Sequence, residues 1–321
     1  MRAALTRAYG PPEVVVIADL PDPVPGPGEV LVRVTAAPVT RADARIRALD
    51  MPAGFGILAR VAFGLRTPRR RVQGMEFAGI VEDGSAGFPA GARVMGITGI
   101  AGGSHAERLA IRADGLILPT PASLTDIEAA AFFFGGLTAA QFLIDHAGVQ
   151  PGDRVLIDGA TGAVGSAAIQ IARHLGAEVC ARTSPARAGL ARSLGAQHIL
   201  DRAQPLPAGP FDAILDVAGR LGFGQAAPSL TPGGRFLMVT ASLSQLLGAA
   251  LRPRRGGRQV IGGTVRETRP AMERLLRIHA EGGYLPLVGR VLPFDAIREA
   301  HAEAGSGSKT GTVVVTLPAP A

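Results

Sequence analysis

Val155-Leu156-Ile157-Asp158-Gly159-Ala160-Thr161-Gly162-Ala163-Val164-Gly165 is the stretch on which the fold turns. Three apolar residues, two of them β-branched, run into three glycines spaced three apart: Gly159, Gly162 and Gly165. The chain then takes a helical period, with Val164, Ala168, Ile171, Ala172 and Leu175 on one face and Gly176 placed to end it. Strand, glycine turn and helix in that order suit the pyrophosphate of a dinucleotide. One glycine permits the tight turn, one lets backbone approach the phosphates, and one lets helix and strand pack closely. The first amides of the helix and the positive end of its dipole face the anion. The spacing departs from G-x-G-x-x-G, and a glycine-rich turn without a ligand is the alternative; the strand–turn–helix setting favours the cofactor. No Gly-Lys-Ser/Thr follows, which argues against a nucleotide triphosphate.

The next strand selects the cofactor. A site for NAD places Asp or Glu about twenty residues on, at the end of that strand, to hold the ribose hydroxyls. Here the end reads Arg182-Thr183-Ser184, with Arg187 following, and Glu178 stands at the opposite end. Arginine and hydroxyl donors suit a 2′-phosphate, so the expected cofactor is NADPH. Ordinary surface arginines of a basic protein are the competing explanation.

Working outward, strands and helices continue to alternate after 153, with strands expected at 155–158, 179–181, 211–217, 235–239 and 259–264 and helices reaching Leu175 and Leu194. Such alternation implies a parallel sheet covered on both faces. A helix is expected over 125–144. The first third reads differently: 30–34, 77–81, 93–97 and 106–111 are short strand candidates separated by Gly, Pro and Asp. Pro21, Pro23, Pro25 and Pro27 make an extended connector that cannot be helix. After Gly282-Gly283 the chain returns to β character, ending over 311–317. The expected architecture is α/β, with residues 1–122 and 285–321 forming a small barrel-like β domain around an inserted dinucleotide-binding domain, residues 123–284.

Composition agrees with a globular pair of domains: 321 residues, 47% apolar and 18% charged. With no Trp and two Tyr, little suggests a base-stacking surface, and no nucleic-acid partner is expected. The net charge of +7 is carried by arginine, Lys309 being the sole lysine, and a phosphorylated cofactor suits that balance. Four arginines between Arg66 and Arg71 read as a solvated loop. A single cysteine, Cys180, excludes an internal disulfide and a multi-cysteine zinc site. The first residues lack the apolar core of a secretory leader, and the uncharged stretch 129–144 is short for a span and broken by Gly135-Gly136. The expected setting is reducing and cytoplasmic, without stable membrane insertion.

Taken in order, several blocks resemble the medium-chain dehydrogenase/reductase superfamily in its quinone-oxidoreductase branch. They are Pro27-Gly28-Glu29-Val30-Leu31-Val32-Arg33-Val34, Gly74-Met75-Glu76-Phe77-Ala78-Gly79, Gly135-Gly136-Leu137-Thr138-Ala139-Ala140, the glycine turn, 211–219 and 309–315. The resemblance covers nearly the whole chain. It implies a GroES-like β domain, a Rossmann domain and a cofactor in the cleft between them. It also implies that Thr138 packs near the nicotinamide, that Val217, Ala218 and Gly219 with Thr240 and Ala241 border it, and that Lys309 approaches the cofactor, unless Lys309 is a surface lysine. Where zinc-dependent relatives carry metal ligands this chain has Thr40, Met75 and Phe134, so no metal is expected. Glu76 stands as a buried polar anchor.

The resemblance leaves the proton donor open. Relatives often carry Asn where Thr40 stands, and some a Tyr a few residues on, where Asp43-Ala44-Arg45 offers none. Thr40 and His105 are the candidates for donating to a substrate oxygen, with a packing role as the alternative for His105. Ser104-His105 lacks the turn and the acid of a nucleophilic triad. The segment from Phe55 to Arg66 reads as a lid over a hydrophobic ligand, a membrane-surface contact or core. The activity implied is hydride transfer from NADPH to a quinone or the β-carbon of an enone. An enoyl-thioester reductase and an NADPH-binding scaffold or sensor without turnover are the rivals. The oligomeric state is left open, with a homodimer among the alternatives.

Overall fold

Two packed sheets with different hydrogen-bond patterns carry the two sequence patterns. The structure is a computed structural model that describes residues 1–251 and 254–318. The first part supplies β1 (Arg2–Thr6), β2 (Val15–Asp19), β3 (Glu29–Val39), β4 (Glu76–Val81), β5 (Arg93–Ile97), β6 (Arg108–Arg112) and β7 (Ile117–Pro119). Two helices, α1 (Arg41–Ala48) and α2 (Gly56–Phe63), occupy the connection from β3 to β4. Next come α3 (Asp126–Ala130) and α4 (Phe133–Ala140), the latter widening into a π-helix over Gln141–His146. The single helix expected over 125–144 is therefore corrected to three pieces.

The alternating part runs β8 (Arg154–Asp158), α5 (Ala163–His174), β9 (Glu178–Thr183), α6 (Ala188–Ser193), β10 (His198–Asp201) and β11 (Phe211–Asp216). It continues through α7 (Phe223–Ala226), β12 (Leu230–Met238), α8 (Leu243–Leu251), β13 (Arg254–Arg255) and β14 (Arg258–Gly262). After α9 (Arg269–Ala280) the chain ends with β15 (Val288–Pro293), α10 (Ile297–Gly305) and β16 (Thr312–Thr316).

The second sheet has the order β10-β9-β8-β11-β12-β14-β13, parallel except for the antiparallel β13. That order reverses at β8, which puts the glycine turn after β8 at the switch point where ligands bind in open parallel sheets. Val155, Leu156 and Ile157 are fully buried, as a central parallel strand covered on both faces requires. The first sheet runs β15-β16-β3-β4-β5-β7, with β6 also on β3, and is antiparallel apart from β15 beside β16. Val313 of β16 lies opposite Val39 of β3, so the C-terminal segment rejoins the sheet begun by the first third.

One hydrophobic core crosses from sheet to sheet, joining Ala78, Met95 and Leu118 of the first to Ile157 and Leu215 of the second and to Ile171 of α5. Each fully buried Ile or Leu there contributes roughly 1.5–3 kcal/mol. Gly135 and Gly136 let α4 enter this core: a side chain at Gly135 would meet the Ala163 carbonyl oxygen at 2.5 Å. Helix α10 falls where only β character is expected. Its buried face is Ile297, Ala300, His301 and Ala304, a helical spacing that packs under α1.

Candidate functional site

The turn after β8 does what its glycines suggest. Gly159 holds φ at +79°, the left-handed region that L side chains avoid, and Gly162 caps α5 with extended backbone. Gly165 lies so close beneath the turn that a Cβ there would overlap the Gly159 carbonyl oxygen and lie 2.8 Å from the Ala160 Cα. At Gly162, by contrast, the nearest atom to an added Cβ is 3.6 Å away, so its open face is turned to the cleft. The first amides of α5 have no partner within their own helix and remain available to an anion.

This turn forms one wall of a cleft of about 720 Å³. Of the residues expected to hold a cofactor, Thr138, Gly159, Thr161, Gly162, Ala163, Val164, Arg182, Thr183, Arg187, Val217, Ala218, Thr240 and Lys309 line it. Ala160 and Gly165 lie beneath the turn, Ala241 lines an adjoining cavity, and Ser184 and Gly219 stand outside the lining. Gly219 belongs to a loop held by Asp216, whose carboxylate accepts the amides of Gly219, Arg220 and Leu221 at 2.8, 3.2 and 3.0 Å. Burial, with Asp158 across the strand pair adding to it, pushes the Asp216 carboxyl up to about 6. The Thr138 hydroxyl donates to the Phe134 carbonyl at 2.7 Å, so only its lone pairs face a ligand.

The cations of the cleft divide by partner. Arg182, expected to meet a 2′-phosphate, is committed elsewhere: it donates to Asp158 at 2.8 Å and to the Arg202 carbonyl at 2.7 Å. The cause is register, since Arg182 pairs with Asp158 across β8 and β9. Among the described residues Arg187 has only neutral hydrogen-bond partners, the Thr161 hydroxyl at 3.5 Å and the Ser308 carbonyl. Arg41, Arg45, Arg202 and Arg220 also line the cleft, and Asp158 is the one carboxylate among the lining residues. These four were not singled out from the sequence. Arg41 and Arg45 share one face of α1 by their i, i+4 spacing, which is a readable signal; Arg202 and Arg220 carry none.

Lys309 reaches the cleft because the segment before β16 straps the glycine turn. The Gly311 amide donates to the Thr161 carbonyl at 2.8 Å, and Gly311 forms a bridge to Gly162. The Lys309 ammonium is buried without a hydrogen-bond partner among the described residues. Burial lowers its pKa to about 8, against the opposing pull of Asp43 on α1 and Glu303 on α10 and with a small further push from Arg41. A second tie joins the two parts of the chain, where the amide of Leu243, the first residue of α8, donates to the Ala53 carbonyl before α2 at 2.9 Å.

The two candidate donors, Thr40 and His105, stand outside the cleft lining. Thr40 is the N-cap of α1: its hydroxyl donates to the Asp43 carboxylate at 2.5 Å and accepts the Asp43 amide, while that carboxylate accepts the Thr40 amide. His105 is fully buried, with Nε2 3.0 Å from the Pro38 carbonyl, which can only accept, so Nε2 carries the proton. Its ring meets His301 edge to face, and burial holds His301 well below the ordinary histidine range.

The donor set does not fit zinc. Thr40 is spent on its cap, Phe134 has no donor atom, and Met75 offers only a thioether. Glu76 is buried with one carboxyl oxygen unpartnered, and burial raises its pKa well above the ordinary carboxyl value against the opposing hydrogen bond from the Phe134 backbone. Among the described residues there is no group of three or more His, Cys, Asp or Glu placed to hold a metal. The segment 55–66 forms α2, with Ala59 buried, Phe63 on the cleft, and Ile57, Leu58 and Val61 exposed. No helix among the described residues is long and apolar enough to cross a membrane.

Comparison with known proteins agrees with this geometry. Residues 26–122 match the family model of the alcohol dehydrogenase GroES-like domain, and residues 194–315 that of the zinc-binding dehydrogenase. Human quinone oxidoreductase is 28% identical, over 99% of this chain and 98% of its own length. A solved quinone oxidoreductase from Coxiella burnetii superposes with a TM-score of 0.86 at 26% identity, covering 99% of both chains. A solved NAD-dependent alcohol dehydrogenase is 30% identical, with a TM-score of 0.84 over 99% of this chain and all of its own. The spectinabilin polyketide synthase system protein NorB of Streptomyces orinoci is 35% identical over 66% of this chain, which spans 9% of that protein.

Proposed function

Because the chain belongs to the medium-chain dehydrogenase/reductase superfamily of oxidoreductases, in its quinone-oxidoreductase-like branch, we propose that it is an NADPH-dependent, zinc-independent reductase of quinones or α,β-unsaturated carbonyl compounds. The observation that carries this reading is the cleft itself: a glycine turn and a helix N-terminus facing a wall of cations with one carboxylate among them. The open face of Gly162 and the orphaned Lys309 ammonium fit a phosphate-bearing cofactor. Bound there, the nicotinamide supplies a hydride. Arg187 and Lys309 would hold its phosphates and the glycine turn would set its depth, so that the cleft brings the reacting carbons together.

The choice of acceptor follows from what the residues lack. Oxidising an alcohol requires removing a proton of pKa far above neutral, which zinc solves by stabilising the alkoxide. Thr40, Met75 and Phe134 supply no such aid. A conjugated carbonyl accepts hydride at carbon and delocalises charge to oxygen, where fixed donors suffice. NADPH consumption is expected with menadione and 2-cyclohexenone, and negligible NADP⁺ reduction with 2-propanol. High activity with simple secondary alcohols and none with quinones, enones or enoyl thioesters would refute the proposal. The likeness to the solved JamJ enoyl reductase, 26% identical with a TM-score of 0.80 over 99% of both chains, favours a second reading, an enoyl-thioester reductase; crotonyl-CoA turned over far faster than 2-cyclohexenone would select it.

Lys309 gives this reading a pH signature. Its pKa is about 8 in the free protein, so the cation that attracts phosphate is present below that value and lost above it. NADPH affinity is expected to hold steady below pH 8 and then weaken by up to about tenfold per unit. Lys309→Arg removes the decline. A fluorescence titration showing unchanged wild-type affinity from neutral pH to pH 9.5 would exclude Lys309 as a phosphate ligand.

A further inference from the structure

A side cavity of about 370 Å³ opens off the cofactor cleft, and the two share Arg45, Met51, Phe63 and Thr240 in their common wall. Beyond that wall the cavity is lined by Phe55, Leu58, Leu246 and other uncharged groups, and Arg45 is its one charged lining residue. Arg45 is half-buried, and burial, with Arg41 beside it, lowers its pKa against the weaker opposing pull of Asp50. Its guanidinium makes no hydrogen bond or ion pair with any described residue. Its neighbours are engaged: Arg41 donates to the Gly305 carbonyl and Arg182 to Asp158. A guanidinium drawn out of water without a partner, at the mouth of an apolar cavity, is poised for an anion that arrives with a ligand.

We propose that Arg45 is a catalytic residue that holds the oxygen on which negative charge develops in a conjugated acceptor, whose apolar remainder occupies the side cavity. This rests on the reductase reading above. Hydride adds to the β-carbon, the C=C π pair shifts to form the enolate double bond, and the C=O π pair moves onto oxygen. The nicotinamide is left oxidised, and the enolate takes one proton from water to give the saturated ketone. Arginine stays protonated throughout, so its part is charge stabilisation and not proton transfer. Thr40 and His105 cannot take that part, since both are bonded away from the cleft.

Two measurements separate this assignment from the reading beneath it. The first is binding of 4-nitrophenol to the protein–NADP⁺ complex, a phenolate mimic of the enolate that needs no turnover. Arg45 should lower the pH at which bound nitrophenol ionises by about one unit or more; Arg45→Leu should abolish that shift and Arg45→Lys retain part of it. The second is turnover with 2-cyclohexenone and menadione. Arg45→Leu should lower kcat at least about tenfold, with the NADPH Kd unchanged and activity partly restored by added guanidinium ion. An Arg45-dependent shift in a protein that reduces no acceptor would sustain the anion site and sink the reductase reading. A wild type that turns over, matched by Arg45→Leu in both kcat and the nitrophenol shift, would overturn the assignment and leave that reading intact. An NADPH Kd that rises in step with the loss of turnover would also overturn it, by making Arg45 a cofactor ligand.

Discussion

Gly165→Val is expected to abolish NADPH binding, raising Kd more than about 100-fold, equivalent to about 2.7 kcal/mol. A side chain at this position has no room: its Cβ alone would overlap the Gly159 carbonyl oxygen and press on Ala160. Relief requires the turn to move away from α5, displacing the backbone that faces the cleft, and overpacking of this kind costs about 1–3 kcal/mol in stability as well. Gly162→Ala makes the contrast. Its Cβ has free space within the protein but projects toward the cleft, so it should keep the wild-type Tm while weakening NADPH through blocked backbone approach. Titration by fluorescence, paired with thermal unfolding, reads both effects. A Gly165→Val protein that binds NADPH as tightly as wild type would remove the glycine turn from the cofactor site.

Arg187→Ala is expected to raise the NADPH KM about ten- to a hundredfold, the loss of one or two charge-assisted hydrogen bonds to a 2′-phosphate, while leaving NADH nearly unchanged. The reason for choosing Arg187 is its company, a hydroxyl and a carbonyl, neither of which cancels its charge. Arg182→Ala should behave differently. It strands Asp158, whose carboxylate is buried, so it lowers Tm and disturbs both cofactors alike. Equal wild-type efficiency with NADPH and NADH would sink the NADPH assignment. The test is a sharp one, because an NAD-dependent alcohol dehydrogenase is among the chain's structural relatives.

The fold was legible wherever periodicity and punctuation agree. The run from Val155 to Gly165 marks strand, turn and helix because β-branching, glycine spacing and the helical apolar face change together within a few residues. Helix α10 was missed because its four buried positions include Ala300, His301 and Ala304, which carry little apolar signal. Helix α1 was legible in principle through Thr40 and Asp43, a capping pair three apart. The cationic cleft was only half visible, since its arginines come from segments far apart in the chain, and the neutralisation of Arg182 depends on strand register. Register is a long-range property that no local pattern in β9 encodes.

The strap from Gly311 to Thr161 and the tie from Leu243 to Ala53 each join the β-rich part of the chain to the alternating part. Together they work as two bolts across a slot. A clamshell motion of the lobes must draw at least one bolt and also part the apolar core the lobes have in common, so the broad opening is held shut by the native packing. Traffic through the slot then falls to smaller movable parts, such as the Phe63 ring and the Arg187 side chain that lies across the strap. An enzyme built this way is expected to exchange its ligands by turning rotamers and short loops more than by swinging whole domains.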